Sequence, residues 1–292
     1  MLKRAIRSPG YAALVLLGPA LLLVALMRLY PIYQAAQLAF TKWDGVGNPE
    51  WVGLANFRYF IHDATLHAAV VNSFFVLLSL PLWVLAPLFV AATLHSNVRA
   101  PRFFKAAIFL PSVLSPVVIG AYVNIILRYH GPLNQALNTL GLHFLTREWL
   151  YNERTALPIV IAVLLWATLG VGTLIFLNAL AAVDLNLYEA ARLDGASWLR
   201  VWWHVTLPQV RPTIEYWSII VLTSMFTALF PFIYMLTRGG PGTSTYVLEY
   251  YIYDRAFFSQ AFGYASAIGL ALLVVVSFVA TAQIILFKRG EK

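Results

Sequence analysis

Six stretches of this chain carry nearly unbroken apolar character and end in polar clusters or in Pro and Gly. They cover residues 11–30, 67–95, 106–127, 157–180, 214–236 and 261–287. A hydrocarbon layer ~30 Å thick is crossed by ~20 helical residues, so each run predicts a membrane-spanning helix. The first run is expected to continue past Pro31 towards Thr41 as a kinked helix, because AAQLAFT is still amphipathic. Pro231 is expected to kink the outer half of the fifth. The pattern gives an all-α fold class, a polytopic membrane protein with six transmembrane helices and a single domain over residues 1–292.

Composition agrees. The chain is 61% hydrophobic and 11% charged, with a mean hydropathy of +0.75, far more apolar surface than one soluble core can bury. The opening MLKRAIRSPG followed by YAALVLLGPALLLVALM imitates a secretory signal. Its apolar run is too long and lacks a small-x-small cleavage site, so it reads as a retained first helix.

Net charge is +8, yet the basic residues flank apolar runs and do not interleave with aromatics, which argues against a nucleic-acid partner. They report orientation. With the N-terminus inside, Lys3, Arg4, Arg7, Arg99, Arg102, Lys105, Arg192, Arg200, Arg211, Lys288, Arg289 and Lys292 fall on the cytoplasmic side, outnumbering those outside. Both termini and the segment 184–208 are then cytoplasmic. The outer loops, roughly 42–65, 129–156 and 237–259, are long enough for short interfacial helices and rich in Trp and Tyr. Such residues suit an aromatic belt or an extracytoplasmic docking face. Arg28, late in the first run, is placed to snorkel to the outer interface.

Much chemistry is absent. There is no Gly-Lys pair for a phosphate-binding loop, no cysteine, and no His-rich metal or nucleophile-elbow motif. No span carries an acid or histidine at its middle, where ion-coupled carriers keep one. Glu215 lies at the inner entrance of the fifth run. Energy for any transport must therefore come from a partner, and a self-sufficient ion-coupled carrier is the alternative reading.

The segment VDLNLYEAARLDGASWLRVWWHVTLPQVRP reads as two short helices. Asn186 and Glu189 form a candidate capping box, Gly195 a left-handed helix end, Ser197 a second cap and Pro208 a stop. Trp198, Trp202 and Val205 recur at helical spacing. Ala190 and Ala191 permit close approach by another protein, with Glu189 and Arg192 offering charge.

EAA, three residues, Gly195, nine residues and then Val205-Thr206-Leu207-Pro208 resembles the cytoplasmic signature E-A-A-x3-G-x9-I-x-L-P of permease subunits of binding-protein-dependent ABC importers. Valine for isoleucine is the one departure. YPIYQAAQLAFTKWDG, WVGLANFRYF, FFKAAIFLPSVLSPVV and LTRGGPGTSTYVLEYYIYDRAF are similar to the carbohydrate branch, which includes maltose and glycerol-phosphate permeases. The resemblance implies a type I importer permease in the bacterial or archaeal cytoplasmic membrane. It also implies a second homologous permease, an extracytoplasmic solute-binding protein and two cytoplasmic ATPase subunits that hold ATP and magnesium. Segment 184–208 would be the coupling loop, with Glu189, Ala190, Ala191, Arg192, Asp194, Gly195, Leu207 and Pro208 meeting an ATPase groove.

A sugar path needs hydroxyls, amides and aromatic faces. Candidates are Tyr122, Asn124, Trp166, Ser224, Thr227 and Phe230, with Ser224 and Thr227 on one helix face. The alternative for the two hydroxyls is bonding to helix carbonyls. Gly239, Gly240, Pro241, Tyr250 and Tyr253 are candidates for docking the binding protein.

Overall fold

A computed structural model describes residues 9–95 and 101–289. Of the residues used for orientation, Lys3, Arg4, Arg7, Arg99 and Lys292 lie outside them. Among the described residues the regular structure is helical apart from one two-stranded ladder pairing Thr41 with Trp51 and Lys42 with Glu50. Two units are resolved by their internal packing, one from residues 1–63 with 252–274 and the other from 64–251 with 275–292.

In the first unit, helix Pro9–Val24 runs through a wide turn at Ala25–Leu29 into helix Tyr30–Leu38. The helical path thus passes Pro31 as expected and stops just short of Thr41. Pro31 sits in the first turn of its helix, where a missing N–H is tolerated. Arg28 stands exposed in the wide turn. The loop that follows contains the short helix Ala55–Tyr59. Asn56 fixes it by donating to the carbonyls of Ala39 at 2.8 Å and Thr41 at 2.9 Å. Asp63 is buried and accepts the Tyr264 hydroxyl at 2.6 Å, with Arg255 at 3.9 Å. This pairing satisfies a carboxylate that would be costly to bury alone.

The second unit is built around helix Glu153–Ala181, whose Leu157, Val160, Leu164, Phe176 and Leu180 are buried. It packs on Leu80–His95 and Pro101–Val113. Trp217 crosses to the second run and donates its indole N–H to the Trp83 carbonyl at 2.9 Å within the core. Such a buried pair satisfies both polar groups while the rings fill space.

Among the described residues four helices are long and apolar enough to cross a membrane: Leu16–Leu38, Ala64–His95, Glu153–Ala181 and Phe262–Phe287. These match the first, second, fourth and sixth runs. The third is bent by 101° between Arg102–Val113 and Pro116–Ile126. Its cause lies in the sequence SPVV: a residue before proline is pushed out of the α region, and Ser115 is extended at φ −66°, ψ 148°. Ser115 then caps the new helix by accepting the Val118 N–H at 3.3 Å.

The fifth run is also divided. Helix Leu207–Ser224 ends, and Phe230–Leu236 begins after an irregular turn. The interruption precedes Pro231, which occupies the first turn of the second piece instead of kinking a continuous helix. Ser224 and Thr227 therefore do not share a regular helix face, since only Ser224 belongs to the helix.

Candidate functional site

Helix Leu185–Leu193 starts at Asp184, whose carboxylate accepts the Asn186 N–H at 2.9 Å. Asp184 is the cap, and the expected Asn186–Glu189 box does not form. Asn186 is already inside the helix, so its side chain cannot serve at the Ncap position. Glu189 and Ala190 are exposed, Ala191 is half-buried, and the Arg192 side chain lies outside the described side chains.

The helix closes as the glycine predicts. Gly195 has φ +71°, and the Ala196 N–H returns to the Ala191 carbonyl at 3.0 Å, a six-to-one closure of the Schellman kind. A second helix, Trp198–Val201, follows, with the Ser197 carbonyl accepting the Val201 N–H at 3.0 Å. It does not stop at Pro208. A wide turn at Trp202–Thr206 leads directly into Leu207–Ser224, placing Pro208 in that helix's first turn, where no N–H is needed. Segment 198–224 is thus one helical course, joining the exposed loop mechanically to the fifth run.

Thr206 is buried and donates to the Tyr188 hydroxyl at 3.3 Å, tying the wide turn to helix Leu185–Leu193. Trp202 packs against the core while Trp203 remains 58% exposed. The outward surface also includes Asp194, Leu193 at 89% exposure and Leu199. Leu193, Leu199 and Trp203 were missed by sequence reasoning, because apolar residues in an apolar chain give no signal until a fold leaves them uncovered. Glu215 is paired with Arg211 at 2.8 Å, one helical turn away.

The candidate path residues are not gathered into one site. Asn124 donates to the Leu236 carbonyl at 3.0 Å, bridging the third and fifth runs. Ser224 and Thr227 donate to their own chain, at Ile220 and Thr223, both at 2.9 Å. Tyr122 and Trp166 are exposed, and Phe230 stacks on Tyr250.

The docking candidates also separate. Tyr250 is only 4% exposed, so it supports the loop from beneath and offers no docking face. Gly239, at φ +83°, lies under the rings of Tyr246 and Tyr250, where any β-carbon would collide. Tyr253 belongs to the other unit and packs on Phe257 and Phe258. Gly240 and Pro241 do line a half-open cavity of about 600 Å³, with Asn124, Arg128, Tyr151 and Arg238 among its walls. The loop is held in place by Asn72, which donates to the carbonyls of Thr243 at 2.9 Å and Tyr246 at 2.8 Å.

A family model described as the binding-protein-dependent transport system inner membrane component matches residues 53–290. The chain belongs to this family. Among its relatives is the probable ABC transporter permease protein YurN of Bacillus subtilis, 34% identical over 92% of this chain and 94% of the relative. Another is the multiple sugar-binding transport system permease protein MsmF of Streptococcus mutans, 32% identical over 93% of each chain. A crystal structure of a bacterial ABC transporter involved in import of alginate, an acidic polysaccharide, has the same fold. Its TM-score is 0.87 at 23% identity, over 100% of this chain and 99% of that one. As an inner membrane component, the chain is a multi-pass permease subunit of an ABC importer and not itself an enzyme.

Proposed function

We propose that this permease subunit spans the membrane six times with both termini cytoplasmic, the bent third and divided fifth runs each counting as one crossing. Basic residues flanking the described runs support that orientation. Its cargo is a sugar or related polar solute, a reading supported by the likeness to MsmF, a multiple sugar-binding transport system permease protein. Residues 184–208 are its coupling loop and residues 1–292 act as one permease domain.

The observation that carries this reading is the exposed helix Leu185–Leu193 joined, through Gly195, to the unbroken course 198–224. A cytoplasmic ATPase subunit seats Glu189, Ala190, Ala191 and Leu193. Arg192, Asp194 and Gly195 complete the contact, and Leu207 and Pro208 carry its motion into the fifth run. Two ATPase subunits hold ATP and magnesium, a second homologous permease completes the path, and a solute-binding protein delivers cargo outside. Two packings of rigid helices are exchanged, and this chain performs no bond chemistry.

Cross-linking tests it. The chain has no cysteine, so Leu193→Cys is a unique thiol. In the assembled transporter it should cross-link to an ATPase subunit bearing a cysteine in its docking groove, with a yield that changes on adding ATP. No cross-link at any groove position would contradict the assignment.

A further inference from the structure

The half-open cavity joins Arg128, just beyond helix Pro116–Ile126, to Arg238, just beyond Phe230–Leu236. Neither guanidinium has a carboxylate partner among the described residues. Arg238 is held firmly: its backbone takes φ +50°, its N–H closes the helix on the Ile233 carbonyl at 2.8 Å, and its guanidinium lies 5.9 Å from the Tyr234 ring centre. A non-glycine residue at positive φ is uncommon and is kept only where the surroundings enforce it. Asn124 and Tyr151 add polar groups to walls that are otherwise largely apolar, with Ile125, Leu150, Met235 and Leu236 among them.

Two unpaired cations converging on a preformed cavity attract an anion. A carboxylate matches the planar guanidinium fork. The question is whose. Both arginines lie past the ends of the apolar runs, on the outer side in the proposed orientation, and so flank the membrane without lining its interior. That is where a binding protein lands. We propose that this cavity receives an acidic side chain of the solute-binding protein and so fixes its docking orientation. This rests on the orientation given under Proposed function.

The test uses the whole transporter in lipid nanodiscs and the solute-binding protein of the same system. Arg128→Gln and Arg238→Gln should each weaken binding on the order of 10- to 100-fold, and Arg238→Glu more. Wild-type affinity should fall steeply with added salt, and that dependence should flatten in the double Gln variant. Restored affinity on pairing Arg238→Glu with an Asp or Glu→Arg change in the binding protein would establish the partner. Wild-type binding matched by all variants would overturn the pocket alone. Wild-type transporter that binds no such protein would overturn the functional reading with it. Unchanged docking with lost uptake of a carboxylate-bearing solute would assign the arginines to the cargo and overturn the proposal.

Discussion

Glu249 accepts the backbone N–H of Phe230 at 2.9 Å, and the same carboxylate oxygen accepts the Leu229 N–H at 2.8 Å. These N–H groups open the second piece of the divided fifth run, where a helix start leaves donors without partners. An acid in the loop beyond that run thus holds its interruption open. Ser73, accepting the Leu248 N–H at 3.0 Å, anchors the helix that carries Glu249.

Glu249→Gln should preserve the fold, because the amide oxygen still accepts both N–H groups. Glu249→Leu strands two part-buried donors and should destabilise by about 1–3 kcal/mol for each. Thermal unfolding in detergent, at fixed pH, separates the two variants.

Burial raises the pKa of Glu249 above its ordinary 4.5, with the Phe230 and Leu229 hydrogen bonds acting in the opposite direction. A carboxyl raised in the folded state contributes stability that is complete below its unfolded pKa and lost as pH rises through the folded value. Wild-type stability should therefore decline as pH climbs from 4.5. Glu249→Gln should lack that component, which melting curves across acidic pH will register.

The legible features were those with local physical causes. Apolar runs located the first, second, fourth and sixth helical crossings, and Gly195 marked a left-handed helix end that the backbone adopts. Ser115-Pro116 contained the signal for the sharp bend, but the surrounding apolar run masked it. Asp184 and Asn186 are equally good caps by residue type, and the capping-box spacing from Asn186 to Glu189 pointed two residues too far along the chain. Glu249 could not be found locally, since its partners lie 19 and 20 residues away. Arg128 and Arg238 meet only through tertiary packing, and the burial of Tyr250 follows from the same packing.

Gly195→Ala should be mild in its effect on the fold, as among the described residues no atom beyond the adjoining chain lies within 4 Å of the added β-carbon and only the φ of +71° opposes it. The strain is about 1–2 kcal/mol. Gly195→Pro cannot reach that φ at all and should unseat the short helix pair. Both should insert in the membrane; only the proline variant should lose the ATPase subunits on purification.

Orientation is open to thiol labelling in intact cells, again on a cysteine-free background. Cysteine at Pro241 should react with a membrane-impermeant reagent, and cysteine at Leu193 only after the membrane is breached. The opposite pattern would reverse the proposed topology.

In the proposed function Glu189 serves the ATPase contact, a role read out by solute-stimulated ATP hydrolysis in the reconstituted transporter carrying Glu189→Lys. Asp184, not Glu189, caps the helix, so this exchange leaves the cap intact. Asp184→Ala gives the comparison, a cap loss of about 1 kcal/mol. Glu189→Lys should assemble poorly with the ATPase subunits or hydrolyse without import, while Asp184→Ala remains largely coupled. Wild-type coupling and ATPase retention in Glu189→Lys would show that this carboxylate has no part in the contact.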